Sequence, residues 1–413
     1  MNELTLRLTG YAYGGEALGR LEDGRMVFVP FALPGETVRV RLVEEKRGYA
    51  RAELLEVLQA SPERIQPRCA HFGLCGGCHY QHLSYASQLA AKATILREQL
   101  ERIGGLADPV LGEIVASPLS YHYRNHVQFH LTDEGRLGFH LGRSDKVLAI
   151  QECHLPETAL NQVWPLLDFE SMPELERISL RLGAADDVQL VLESSDPIPP
   201  ELNVEDLPVS VVHLSQGEAL VLAGSAAVAM EVLGRSFAVS AGSFFQVNTT
   251  MAGEMVKQVI NLLDKHQALG PDKTLVDVYC GVGLFSAFIA PRVGRLICIE
   301  ASSSAAEDFA LNLDEFDQVE LYEAPAEVAL PVIEVQPAAV LVDPPREGIG
   351  RRAMDGLLRM HPPLLIYVSC DPATLARDAG RLIAAGYRLE QVTPVDLFPQ
   401  TYHIESISCW VAG

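Results

Sequence analysis

The 413-residue sequence has no run of 18 or more apolar residues. No segment is therefore expected to cross a bilayer as a helix. Met1 to Gly10 holds charges but no apolar core followed by a cleavage site, so it does not read as a secretory leader. Positive charge is short: 32 Lys+Arg stand against 54 Asp+Glu, a formal charge of -22. That balance excludes a generally basic nucleic-acid coat. Cysteine is sparse, with eight residues, too few for a disulfide-built fold of this size. There is no GxGxxG turn and no P-loop lysine, which argues against a dinucleotide or nucleoside triphosphate as ligand. No internal repeat or low-complexity tract occurs.

The charge deficit is uneven. Residues 1–160 carry 17 Lys+Arg and 19 Asp+Glu, and the remainder carries 15 and 35. A polyanionic partner is expected to meet the N-terminal part and to be repelled by most of the rest. Apolar residues make up 48%, enough for two or three domains with their own cores.

Residues 1–60 read as a small β-barrel of five short strands. Asp23-Gly24 marks a hairpin turn. Val38, Val40 and Leu42 alternate inward, which puts Arg39 and Arg41 together on the outer face. Residues 61–240 read as a central, mostly β domain, with an interdomain helix at 84–103 whose Leu89, Ala93, Leu96 and Leu100 share a face. Within it, residues 156–180 are expected to be an interrupted helix, 188–193 and 209–214 strands, and 194–203 a loop. Residues 241–413 alternate strands and helices. This predicts a doubly wound α/β sheet with ligands at the C-terminal strand ends.

Three constellations carry chemistry. The first is the turn Asp277-Val-Tyr279-Cys-Gly281-Val-Gly283 between a strand and a helix, with Glu300 ending the next strand. Glycines let the backbone approach a ligand, and a carboxylate at that place can take ribose hydroxyls. Without a third glycine, an adenosyl ligand lacking a pyrophosphate, such as S-adenosylmethionine, fits best. The second is Cys69, Cys75 and Cys78, with Cys153 as the remaining N-terminal cysteine. Four thiolates suit zinc or an iron–sulfur cluster, and the spacing does not choose between them. His71 and His79 are further possible ligands. Such a site fits a reducing, cytoplasmic setting. The third lies at the sheet rim: Cys370 after the apolar run LLIYV, Asp343 in Asp-Pro-Pro-Arg346, and the pair His403 and Glu405. A thiol, an aspartate and a Glu/His pair on one rim form a covalent site.

These motifs together resemble the RNA uracil-C5 methyltransferase family, in its iron–sulfur branch acting on 23S ribosomal RNA. The resemblance spans nearly the whole chain. It rests on C-x5-C-GG-C-x2-Q with Cys153, on Phe244-Phe245-Gln246-Val-Asn248, on the Asp277 to Gly283 turn, on Asp343-Pro-Pro-Arg346, on Ser369-Cys370-Asp-Pro and on the His403-Ile-Glu405 ending. It implies an N-terminal TRAM domain, an OB-like RNA-binding barrel, and a C-terminal Rossmann-like methyltransferase domain. It implies a [4Fe-4S] cluster on Cys69, Cys75, Cys78 and Cys153. Cys370 would be the nucleophile, Glu405 the general base and Asp343 a contact to both donor and uracil. Gln246, Asp277, Tyr279, Gly281, Gly283, Glu300 and Asn312 would serve S-adenosylmethionine. The family's second asparagine is replaced here by Phe316, and its adenine-side Gly-Asp motif by Tyr322-Glu323, which leaves the adenine contact open. The expected partner is RNA with an extruded uridine, and the chain is expected to act as a monomer. Transfer RNA is the alternative substrate, and a non-catalytic iron–sulfur RNA-binding protein the alternative class.

Overall fold

A computed structural model describes residues 3–172, 174–200 and 208–413. Part of the expected 194–203 loop lies outside the described residues. Strands β1 (Glu3–Ala12), β2 (Glu16–Arg20), β3 (Met26–Pro30), β4 (Thr37–Glu45) and β5 (Tyr49–Gln59) form a closed barrel in the order β1-β2-β3-β5-β4. Alternation decides what lies inside: Leu6, Leu8, Val27, Val29, Val38 and Val40 are buried. Ala17, Ala50 and Ala52 supply the small residues that a narrow barrel needs. Arg39 and Arg41 do face outward together. Each is paired, Arg39 to Glu56 at 2.7 Å, and Arg41 to Glu53 at 3.4 Å and Glu3 at 3.5 Å. The two arginines are thus charge-balanced across the strands.

Helix α1 (Tyr85–Arg102) starts at Ser84, whose side chain accepts from Ser87 N, and Gly104 and Gly105 follow its end. The central sheet contains β6 (His126–Leu131), β7 (Leu137–His140), β8 (Val147–Ala149), β9 (Leu175–Leu182), β10 (Val188–Ser194), β11 (Val209–Ser215) and β12 (Glu218–Ala223), in the order β12-β11-β10-β9-β6-β7-β8. The helix expected over 156–180 is confined to α2 (Thr158–Val163) and a short 3-10 turn to Leu166. β9 takes the rest because Ile178, Leu180 and Leu182 alternate at strand period, and the strand is central in the sheet.

The remaining chain holds the hairpin β13 (Ala227–Val232) and β14 (Arg235–Ser240), then α3 (Thr249–Lys265), β15 (Gly270–Val278), α4 (Ser286–Ile289), β16 (Val293–Glu300), α5 (Ser303–Asn312) and β17 (Val319–Glu323). It continues with α6 (Ala326–Ala329), β18 (Ala339–Val342), α7 (Arg351–Met360), β19 (Leu364–Ser369), α8 (Pro372–Ala384), β20 (Tyr387–Val395) and β21 (Glu405–Ala412). The sheet order is β17-β16-β15-β18-β19-β21-β20. It is parallel up to β19, and β21 runs antiparallel to both of its neighbours. The order reverses between β15 and β18, which opens a crevice beyond their C-terminal ends.

Two apolar layers sandwich this sheet. One unites the β13–β14 hairpin, α3 and Phe309 of α5. The other unites Ile95, Leu96 and Leu100 of α1 with α7 and α8. The hairpin and α1 therefore pack with the large C-terminal sheet, although both precede residue 241.

Candidate active site

The glycine turn lies at the crevice. Asp277, near the end of β15, is buried. Its Oδ2 accepts from Ser286 Oγ at 2.5 Å, while its Oδ1 is buried with no partner among the described residues. Burial pushes this carboxyl up to about 7, with the Ser286 bond opposing and Glu300 adding to the shift. Tyr279 has φ 65°, Gly281 56° and Gly283 94°. A Cβ on Gly281 would meet nothing within 4 Å, so this side of the turn is open. A Cβ on Gly283 would stand 2.4 Å from Leu313 Cδ1, so that glycine lets α5 pack. Glu300 receives Gly281 N on Oε2, and Ala301 N and Ser302 N on Oε1, all at 2.8 Å. Its carboxylate is thereby fixed at the mouth of the turn.

Asn312 behaves differently from the expected ligand contact. Its Oδ1 accepts from Ala238 N at 2.7 Å, and its Nδ2 donates to Ala238 O and Val282 O. It joins β14 to the glycine turn, so it shapes the pocket from behind. Gln246 is buried in the turn ahead of α3, with its carbonyl held by Asn125 Nδ2 at 3.0 Å. Phe245 packs against Phe237 at 5.8 Å, whereas Phe244 is 68% exposed. Arg181, which the sequence did not single out, reaches from β9 to donate to Ser240 O and Ser243 O at 2.8 and 2.6 Å. It anchors the Gln246 turn to the central sheet.

The rim residues converge through strand register. Ser369 pairs with Ser406 across β19 and β21, which puts Cys370 opposite Glu405 one step further on. Asp343 follows β18, the other neighbour of β19. Burial raises the Cys370 thiol to about 12, and Glu405 and Asp343 add to the shift. Burial also raises Asp343 to about 7, with Asp277 adding, and holds Glu405 well above the usual carboxylate range, with Asp343 adding. Arg346 opposes the rise at both Cys370 and Glu405. These influences together favour the protonated thiol. His403 lies just before β21, not in a strand with Glu405. Burial lowers it to about 3, and its ring lies against Tyr402 at 4.3 Å and Phe398 at 5.5 Å. It is a neutral packed ring and not the partner of a strand pair.

The cysteine loop is bound to the central sheet. Cys75 bridges Leu141, and Gly76 N donates to His140 O at 3.0 Å. A Cβ on Gly76 would sit 3.0 Å from that same oxygen. Ala70 N donates to Glu152 Oε1 at 2.7 Å, which brings the Cys69 segment to the one holding Cys153. Burial raises Cys78 to about 12 and Cys153 to about 11, and the other thiols add to each shift. His71 Nε2 instead accepts from Gln151 N, and the His79 ring packs on Tyr402 at 4.6 Å. The loop also grips the segment ahead of β21: His79 N and Tyr80 N both donate to Gln400 O. Elsewhere His266, Glu390 and Cys409 bring three donor atoms together, but Lys265 already pairs with the Glu390 carboxylate.

Comparison with known proteins covers the whole chain. Residues 196–410 match the family described as tRNA (Uracil-5-)-methyltransferase, and residues 2–55 match the TRAM domain. A protein of Thermosynechococcus vestitus, described as an uncharacterized RNA methyltransferase, is 34% identical over 98% of this chain and 97% of its own. One of Aquifex aeolicus with the same description is 34% identical over 99% of each. The fold is similar to that of the Pyrococcus abyssi tRNA (uracil-54, C5)-methyltransferase solved with S-adenosyl-L-homocysteine. That likeness has a TM-score of 0.74 and 24% identity, over 98% of this chain and 99% of the other.

Proposed function

The chain belongs to the tRNA (uracil-5-)-methyltransferase family and is an S-adenosylmethionine-dependent RNA methyltransferase with a TRAM domain, and from that premise we propose that it methylates C5 of a uridine in 23S ribosomal RNA through Cys370. The observation that carries this reading is that Cys370 and Glu405 stand one step beyond the Ser369–Ser406 pair, with Glu405 and Asp343 both acting on the Cys370 thiol, beside the open glycine turn. A thiol and a buried carboxyl on one rim suit addition to a pyrimidine ring and later removal of its proton.

The methyl donor is a co-substrate that supplies an electrophilic methyl group. The buried, partnerless Oδ1 of Asp277 suits its ammonium, and Glu300 suits its ribose. Tyr279 and Gly281 on the open side of the turn, and Gln246 ahead of α3, would contact the donor between them, with Gly283 letting the turn close on α5. On the RNA side, the Cys370 thiol gives its proton to bulk water, and the thiolate bonds to C6 as the 5,6 π pair moves toward C5 and the neighbouring carbonyl oxygen. Asp343, raised by burial to about 7, donates to that oxygen in its protonated form as enolate character builds. C5 takes the methyl group from the donor's sulfonium, whose sulfur keeps the bonding pair. Glu405, as its carboxylate, removes the C5 proton, the C5–H pair re-forms the 5,6 double bond, and the thiolate leaves C6. Arg346 is the cation that favours the charged forms of both catalytic groups. Exposed Phe244 is available to stack on a base.

Cys69, Cys75, Cys78 and Cys153 suit an iron–sulfur cluster as a four-thiolate donor set. Burial and neighbouring thiols raise Cys78 and Cys153, as expected of sulfurs that would be ionised only on a metal centre, and Gly77 N donates to Cys75 Sγ at 3.4 Å. The cluster would supply a structural core that holds residues 66–81 against the Cys153 segment.

Incubation with labelled methyl donor and either 23S ribosomal RNA or transfer RNA, followed by mapping of 5-methyluridine, tests the reading. Label confined to transfer RNA would move the chain to the second substrate, that of the Pyrococcus abyssi enzyme. Label at neither would end the proposal.

A further inference from the structure

The barrel touches the nucleophile's own turn. Tyr13, just past β1, donates from its hydroxyl to Asp371 Oδ2 at 2.8 Å across 358 positions of sequence. Among the described residues it makes the one side-chain hydrogen bond from the barrel strands and their turns to the methyltransferase sheet and its helices. Asp371 is the residue after Cys370. Its Oδ1 accepts from Ala373 N and Thr374 N at 2.9 and 2.8 Å, capping α8. One carboxylate thus fixes the helix start with one oxygen and is held by the barrel with the other. The Tyr13 ring meets Tyr402 edge-on at 5.6 Å, and Tyr402 packs on His403, two residues before Glu405. Tyr13 therefore touches both segments that carry the covalent chemistry.

The turn holding Tyr13 has little freedom to move alone. Gly14 and Gly15 have φ of 110° and 85°, and a Cβ on Gly15 would sit 2.9 Å from His79 Cβ. A shift of the barrel is passed to Asp371 and Tyr402 together.

We propose that Tyr13 is a positioning residue that couples the seating of the barrel on RNA to the reactivity of Cys370. The inference rests on the reading of Cys370 as nucleophile. The charged groups acting on Cys370 are Glu405, Asp343 and Asp371, which oppose its ionisation, and Arg346, which favours it. Donation from Tyr13 disperses the Asp371 charge and pins it toward the α8 cap. Without that bond the carboxylate stays on the α8 cap through Oδ1, but Oδ2 carries its undispersed charge, which acts on the thiol.

The test uses full-length Tyr13→Phe, which keeps the ring packing and loses only the hydroxyl. Iodoacetamide modification of the Cys370 peptide is followed at about pH 8.5 by mass spectrometry, beside RNA affinity and steady-state methyl transfer. The alkylation rate, which follows the thiolate fraction, should fall by about threefold. The kcat should fall by roughly threefold, with KM for RNA unchanged. On an Asp371→Asn background, which keeps an acceptor for the cap, Tyr13→Phe should slow alkylation no further. An unchanged alkylation rate in Tyr13→Phe, a change in KM alone, or a full additive loss on the Asp371→Asn background would each overturn the coupling. Alkylation needs no turnover. An active Cys370→Ala, which would end the nucleophile reading, is thus distinguished from a failure of the coupling.

Discussion

Lys92 and Asp396 meet at 2.6 Å in the interior, the ammonium 1% and the carboxylate 0% exposed. Lys92 also donates to Phe398 O at 2.9 Å. The pair ties α1 to the segment that runs from the end of β20 through Phe398 to Glu405. Burial lowers Lys92, and Asp396 opposes that shift.

Removing one partner leaves a buried charge without its counterion, so Lys92→Met should destabilise the protein by about 3–5 kcal/mol. Lys92→Met with Asp396→Leu should recover much of that loss, since the desolvation cost goes with both charges. Chemical denaturation of the two variants checks this. Equal instability of single and double variants would mean the pair is unimportant beyond its volume.

A second expectation concerns pH. The Asp277 carboxyl is held at about 7 against an ordinary 3.8, so the native state keeps a proton that the unfolded chain releases. Between these values the free protein loses stability as pH rises, because the unfolded state binds fewer protons. A cationic methyl donor prefers the carboxylate. Donor affinity should therefore rise with pH up to about 7 and then level off, falling below it by up to about tenfold per unit. Calorimetric titration across pH 5.5–8.5 should show this slope. Asp277→Asn should bind weakly with the slope gone, and a slope kept in that variant would assign the titration to another group.

The cysteine site gives a third. Protein purified without oxygen should be brown, with about four iron per chain if four thiolates hold one cluster. Cys153→Ala should lose iron and weaken folding and RNA binding together, because the Cys69–Gln81 loop also holds Gln400 through His79 and Tyr80. Stoichiometric zinc without iron would reject the cluster.

The barrel and the doubly wound class of the large sheet were legible because alternation and strand–helix periodicity are local signals, whereas the strand order came only with the structure. The rim residues were legible as separate motifs, and register then placed Cys370 opposite Glu405. The 156–180 segment was misread because a short helix precedes a strand buried on much of both faces, where polar alternation fades. The paired state of Arg39 and Arg41 was hidden because their partners Glu3, Glu53 and Glu56 lie on neighbouring strands. Tyr13, Lys92, Arg181 and Asp396 carried no local signal at all. Their roles depend on contacts dozens to hundreds of residues away, and only the folded chain brings them together.

The last expectation separates the two covalent roles at the rim. Cys370 acts before methyl transfer and Glu405 after it. Cys370→Ala should form no adduct and transfer no methyl group, while donor and RNA still bind. Glu405→Gln should still add at C6 and accept the methyl group, then stall, because an amide does not take the C5 proton. A protein–RNA complex bearing labelled methyl should then survive denaturation and accumulate on a gel. Neither Tyr402 nor neutral His403 is a strong substitute base, since burial keeps the His403 imidazole at about 3. The Glu405→Gln escape rate should therefore be slower than wild-type turnover by about a hundredfold or more. With 5-fluorouridine at the target, the wild type should stall in the same complex, since fluorine does not leave as a cation. Turnover of Glu405→Gln at the wild-type rate would make Glu405 a structural acid at the start of β21, with the proton taken elsewhere.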